Sequence, residues 1–324
     1  MKYRIREILV EIEDFKLLKS VPGGAFSLST ESQWDDFSQP LDPDELEDCA
    51  MVGRDPVFVA KPAQLSLDGY LLNLRNGRMR RLPYTGITSM PGCFLPGRKE
   101  VIVSGCDIEG GVRLTKINLI TGENTLLDYE GADGGVVMMP ELSPDGRRIA
   151  AIQSMGNAGV VDLQIRVIDL GTLKSELIGN PSRIGGPFSW MPNGDGIILK
   201  RYGPTESLNA IEPRILCKLG LNGVVSDLRP GDWPVVLRKT ERILFQDSGS
   251  DLWHTCKMDG TDSKLFGNGL KGYGTPAVSS DEKRILFAHY EKGQLPQLEL
   301  FELGKSEGKR VVHANGFTGT PVWR

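Results

Sequence analysis

The chain has 324 residues, 40% hydrophobic and 25% charged, a balance that excludes a disordered polymer and supplies enough apolar material for a buried core. Its 38 basic and 42 acidic residues leave a formal net charge of −4, so no overall basic field exists to attract nucleic acid. No stretch approaches the roughly 18 apolar residues a membrane helix needs, and the five scattered cysteines contain no Cys-x-x-Cys pair for a zinc site.

Residues 1–30 hold three apolar runs, YRIREILVEI, DFKLLKS and AFSLST, which read as strands. Ile5, Ile8, Leu9, Ile12 and Phe15 also keep helical spacing, so this arm fits either state. Glu11, Glu13 and Asp14 interrupt it and no small-residue cleavage site follows, so no secretion signal is expected. The odd, dispersed cysteines are then expected to be reduced thiols of a cytoplasmic protein. Residues 31–48 carry eight acidic side chains and no basic one, and read as a solvated connector.

From residue 49 a unit recurs. CAMVGRDPVFVA and GYLLNLRNGRMRRL, within residues 49–83, form a degraded first copy. Clearer copies follow: GCFLPGRKEVIVSG from Gly92, PELSPDGRRIAAIQS from Pro140, FSWMPNGDGIILKR from Phe188, WPVVLRKTERILFQD from Trp233 and AVSSDEKRILFAH from Ala277. Each is an apolar run, a polar turn and a second apolar run, the pattern of a β-hairpin. A second strand pair comes downstream, as in LQIRVIDLGTLKSELIG, RILCKLGLNGVVSDL and DLWHTCKMDGTDSKLFG. Each unit therefore has four strands, a to d.

Leu95, Ser143, Met191, Arg238, Ser279 and Arg324 are equivalent, at intervals of 48, 48, 47, 41 and 45. Four-stranded units at this period predict an all-β fold, a β-propeller forming one domain over residues 1–324. Six units are visible within residues 49–317. The terminal GTPVWR, residues 319–324, repeats the opening of GTPAVSS at Gly274, and residues 318–324 read as a lone innermost strand a. A ring must close or leave an unpaired edge. Strands from residues 1–30 are expected to complete that last unit, giving seven four-stranded blades; the alternative is six blades with the N-terminal arm packed outside.

LSPDGRRIAAI at Leu142, followed by LQIRVIDLGT, is similar to the TolB-type, WD40-like propeller repeat, whose pattern is Trp-Ser-Pro-Asp-Gly, two polar residues and an apolar strand. SWMPNGDGIIL, VSSDEKRILF and the terminal PVW resemble it less fully, and the likeness spans about residues 86–324. It implies propeller architecture. Related repeats occur in partner-binding proteins, in peptidases with an added hydrolase domain and in sugar lyases. The chain departs from TolB itself in its expected lack of an export signal and of a separate N-terminal α/β domain.

Phe94, Leu142, Trp190, Val278 and Trp323 share one position near the end of strand a, where large apolar side chains fill the widening gap between blades. Ser143–Gly146, SPDG, reads as a turn and not as catalytic residues. No Gly-x-Ser-x-Gly elbow or Walker loop is present. His254, His289 and His313 are predicted in strands c, b and d, and strands b and d of one blade lie roughly 10 Å apart, too far for one ion. No metal and no cofactor is expected.

The a–b turns are short and alike, whereas the b–c loops vary, and function concentrates on irregular loops held by a rigid scaffold. The longest begins at Arg201, as RYGPTESLNAIEP. Arg201, Tyr202, Glu206 and Asn209, with Trp253 and Tyr290 bordering neighbouring loops, form the predicted binding patch. The expected function is non-catalytic binding of a protein or peptide. A carbohydrate-active lyase or hydrolase with a metal at the channel mouth is the second reading, and a scaffold subunit the third.

Overall fold

The computed structural model describes residues 34–35, 49–54, 68–74, 79–82, 87–106, 112–132, 135–154, 163–179, 184–202, 214–267, 273–289, 297–302, 309–312 and 322–323. Every regular element among them is a strand. The first four are β1 (Trp34–Asp35), β2 (Cys49–Arg54), β3 (Asp68–Asn73) and β4 (Met79–Arg81). Five antiparallel four-stranded sheets follow, each with its strands side by side in chain order. Blade 1 is β5 (Ile87–Phe94), β6 (Glu100–Cys106), β7 (Val112–Asn118) and β8 (Asn124–Leu126). Blade 2 is β9 (Val136–Leu142), β10 (Arg148–Ser154), β11 (Leu163–Asp169) and β12 (Ser175–Ile178). Blade 3 is β13 (Ile184–Trp190), β14 (Gly196–Tyr202), β15 (Arg214–Gly220) and β16 (Val225–Pro230). Blade 4 is β17 (Asp232–Leu237), β18 (Arg242–Gln246), β19 (Trp253–Lys257) and β20 (Lys264–Leu265). Blade 5 is β21 (Tyr273–Val278), β22 (Arg284–His289), β23 (Gln297–Glu302) and β24 (Lys309–Val312).

The repeated turns are built the same way. Ser143 Oγ donates to Asp145 Oδ1 at 2.5 Å and accepts from the Arg148 N–H at 2.9 Å. Ser279, Asp281 and Arg284 repeat this at 2.5 and 3.0 Å, so the SPDG turn and its SSDE counterpart are one device. The left-handed position is Gly146 (φ 71°) in the first and Glu282 (φ 58°) in the second. A non-glycine residue is strained there. Glu282 is held by its neighbour: its carboxylate accepts the N–H groups of Lys239 at 2.7 Å and Thr240 at 3.2 Å, in the corresponding turn of blade 4. In all five blades the a–b register is broken by an irregularity, which lets the inner strand bend where the blades crowd together.

Both faces of each sheet are apolar, and the core is divided accordingly. Ile102, Leu114, Val137 and Ile149 fill the gap between blades 1 and 2. Ile152, Ile165, Trp190 and Leu199 fill the next, and Ile198, Leu216, Val236 and Phe245 the one after. Leu244, Trp253, Val278 and Phe287 lie between blades 4 and 5. Two further clusters sandwich the sheet of β2 and β3: Ala50, Tyr70 and Leu72 against Leu286 and Leu298 of blade 5, and Met51 and Leu71 against Phe94 and Val101 of blade 1. The strand-a residues Phe94, Trp190, Val278 and Trp323 are all buried in these gaps, as their equivalent positions predicted.

This last sheet closes the ring. Its order is β1-β4-β3-β2, with β1 parallel to β4 through Trp34↔Met79 and Asp35↔Arg80. On the inner side Val322 and Met51 exchange backbone hydrogen bonds of 2.7 and 2.8 Å. Val322 therefore lies on the inner side of β2 as an isolated bridge, and of residues 318–324 only Val322 and Trp323 are described. The three-strand copy in residues 49–83 lacks a strand a of its own, and Val322 supplies it. Assigning that copy and residues 1–30 to separate blades is what produced a count of seven. The described residues form five regular blades, neither seven nor six, plus this closing sheet of mixed pairing. Residues 1–30, with their three predicted strands, lie outside the described residues, as does the connector apart from β1.

Arg98 sits at the seam. In the blade 1 turn it adopts φ 56°, lies 4.0 Å from the centroid of the Phe94 ring, donates to the Trp323 carbonyl at 2.6 Å and donates to the Cys49 carbonyl. Arg98→Ala is expected to cost about 2 kcal/mol in chemical denaturation, while Lys99→Ala in the same turn stays within about 0.5 kcal/mol. Burial pushes the Cys217 thiol up to about 12. At pH 8.5 it remains protonated and unreactive, so iodoacetamide followed by peptide mass mapping should leave Cys217 unmodified in the native protein and alkylated after unfolding.

Candidate functional site

The two ends of the channel differ in construction. At the a–b end, inner strands are laced together. Glu141 Oε1 of blade 2 accepts from Ser189 Oγ and the Trp190 N–H of blade 3, both at 3.2 Å. Ser189 Oγ accepts the Val236 N–H of blade 4 at 3.1 Å. Arg238 reaches from blade 4 to blade 2, donating to the Leu142 carbonyl at 3.2 Å with its Nη2 3.7 Å from Glu141.

At the opposite end, where strands b finish and strands c and a begin, blades 3 and 4 meet in a polar cluster. Tyr202↔Arg214 and Lys200↔Leu216 are cross-strand pairs, and residues two apart share a face. Lys200, Tyr202 and Arg214 thus stand on one face of blade 3, with Leu216, which packs on blade 4. Blade 4 presents Asp232 and Trp233 there. Lys200 Nζ binds Asp232 Oδ1 at 2.8 Å and Arg214 Nη1 binds Asp232 Oδ2 at 2.9 Å. Trp233 takes a left-handed φ of 51°, and its N–H donates to Asp232 Oδ1 at 2.8 Å. Lys200 Nζ also lies 5.0 Å from the Tyr202 ring centroid and 5.3 Å from that of Trp233. Gly186 (φ 73°) leaves room beside it, since a Cβ there would sit 3.3 Å from Lys200 Cε and Nζ.

Of the predicted patch, Tyr202 belongs to this cluster. Arg201 is adjacent in sequence but projects from the other face of the same strand, because strand side chains alternate. There it grips Asp227 of β16 through Nε and Nη2, with the Nε bond at 2.7 Å, and this pairing holds the Asp227 carboxyl below its usual range. Trp253 is corrected: it is fully buried, packed edge-on against Phe287 at 5.2 Å, and fills the wedge between blades 4 and 5 instead of lining a loop. Glu206, Asn209 and Tyr290 lie outside the described residues. His254 is in strand c, as predicted, with Nδ1 3.4 Å from Ser263 Oγ. His313 is outside the described residues. No group of three or more His, Cys, Asp or Glu among the described residues is placed to hold a metal ion. Sequence reading missed Lys200, Arg214, Asp232 and Trp233. The only local signal was the Gly231-Asp232-Trp233 string opening a strand a.

Among the described residues Asp232 is the single anion of a cluster with two cations. Asp232→Asn should cost about 3 kcal/mol in urea unfolding, since it strands a buried ammonium. Lys200→Met leaves Asp232 paired with Arg214 and should cost about 1 kcal/mol.

No family model matches the sequence, and no curated protein matches it. Solved structures do match its fold. TolB from Acinetobacter baumannii superposes with a TM-score of 0.65 at 16% identity, over 85% of this chain and 65% of that one, so this chain spans less than two thirds of its length. A chain of the nidogen–laminin complex gives 0.60 at 12% identity, over 85% and 97% of the two chains. Hydrazine synthase from Kuenenia stuttgartiensis gives 0.52 at 15%, over 73% and 78%. The chain has the β-propeller fold that TolB contains.

Proposed function

We propose that the protein is a non-catalytic binding propeller that receives a protein or peptide at the b–c end of its channel, around Tyr202, Arg214 and Trp233. The observation that carries this reading is the unlike construction of the two ends. One is laced together across three blades by Glu141, Ser189 and Arg238. The other gathers half-exposed aromatic and cationic side chains on rigid strand ends, with Trp233 in a strained conformation. Aromatic rings and arginine are the side chains that anchor interfaces, and strain persists where the surroundings enforce it for a purpose. The TolB and nidogen-complex likenesses fit an interaction role, while that of hydrazine synthase is a reminder that the fold alone selects none. Free thiols at Cys49, Cys93, Cys217 and Cys256 support a reducing compartment, and the reading keeps the protein in the cytoplasm.

A random-peptide display library selected on the immobilised protein tests this. Enriched peptides should bind saturably and lose affinity by about tenfold or more for Tyr202→Ala, with melting checked in parallel. Asn193→Ala, in an exposed a–b turn, should change nothing. Peptides indifferent to Tyr202→Ala, or no enrichment at all, would remove this end of the channel from the account.

A further inference from the structure

We propose that the ligand of this mouth is an acidic peptide, one of whose carboxylates is taken in bidentate fashion by Arg214. The inference rests on the binding reading above and names the chemistry that the site selects.

Both oxygens of Asp232 are occupied: Oδ1 by the Lys200 ammonium and the Trp233 N–H, each at 2.8 Å, and Oδ2 by Arg214 Nη1 at 2.9 Å. Its side chain is only 3% exposed, so this carboxylate turns nothing towards solvent. The Arg214 side chain is 34% exposed. Its Nε and Nη2 groups make no hydrogen bond among the described residues, nor do the Tyr202 hydroxyl and the Trp233 indole N–H. Those two guanidinium groups form one straight edge with two parallel N–H vectors, the geometry that matches a carboxylate. This chain shows the match itself, because Arg201 grips Asp227 with the same Nε and Nη2 edge one residue position away, on the opposite face.

Charge points the same way. Lys200 and Arg214 bring two positive charges against one from Asp232, while Arg201 and Asp227 cancel each other. Among the described residues the open side of the cluster therefore offers donors and a net positive charge beside two aromatic rings. Among the described residues a basic peptide would meet no unoccupied carboxylate there. A neutral one would leave the guanidinium edge without a counter-charge.

Fluorescein-labelled hexaglutamate, hexaglutamine and hexalysine, titrated by fluorescence polarisation up to about 1 mM, read this directly. Hexaglutamate should bind at low salt, weaken by about tenfold when salt is raised from 0.05 to 0.5 M, and displace a peptide selected on the mouth. Hexaglutamine and hexalysine should do neither. Arg214→Gln should lose about tenfold or more of the hexaglutamate affinity. Arg214→Lys keeps an ion pair to Asp232 but lacks the planar fork, and should lose affinity at unchanged melting temperature. Amidating the peptide terminus separates the two carboxylate sources: loss of binding assigns the C-terminal group, and retention assigns the glutamate side chains. If selected peptides depend on Tyr202 but hexaglutamate neither binds nor competes, the acidic-ligand inference fails while the binding face stands. If no peptide depends on Tyr202, the face itself fails.

Discussion

Ring closure is the constraint on which the rest of this structure depends. Every sheet is apolar on both faces, so no blade is stable until a neighbour covers each side, and a missing contact exposes two faces at once. The seam lies where a segment near the C-terminus meets β2. The exchange between Met51 and Val322 adds two backbone hydrogen bonds, each worth about 1 kcal/mol net. Trp323, buried among Tyr70, Leu72 and Leu298, contributes more, since removing such a ring from a core costs about 3–5 kcal/mol. Closure is thus mainly an apolar wedge, and the hydrogen bonds fix its register. Arg98 ties wedge and register together by holding the carbonyls of Trp323 and Cys49 from a third sheet.

The same wedges explain what could be read from the sequence. Phe94, Trp190 and Trp323 recur at one position of the repeat because each fills the same gap, and a periodic requirement leaves a periodic trace. The Ser143 and Ser279 turns were legible for a similar reason: a hydroxyl capping a short turn is a local device. Blade number is not local. It depends on which distant segment lends strand a to residues 49–83, and nothing in those residues names the lender.

The site was half legible. Strand alternation puts Tyr202 and Arg201 on opposite faces, so a patch drawn from adjacent letters mixes a residue facing blade 4 with one turned to its own outer strand. Trp253 was placed in the patch because it borders a neighbouring b–c loop in the sequence. Its neighbours Phe287 and Phe301 lie in blade 5, and only the packing of two blades shows that the ring is enclosed. Lys200, Arg214 and Asp232 are separated by loops and a whole strand pair. Their meeting is a product of the inter-blade angle, which has no signature in any one segment.

That meeting is not explained by stability. A buried ion cluster loses much of its Coulomb attraction to desolvation, and apolar residues of similar volume often serve as well. A left-handed tryptophan costs a further 1–2 kcal/mol or so over an ordinary strand residue. The other gaps between blades are filled mainly by apolar side chains, with single buried polar groups such as Arg166 and Glu282 bound to neighbouring carbonyl, amide or N–H groups. Two unfavourable features therefore fall together at one end of one blade junction, beside donors that find no acceptor among the described residues. If the cluster served only to join blades 3 and 4, one cation would suffice and Trp233 could relax. A second cation, turned outward and presenting its bidentate edge, is what a binding role would require and a joint would not.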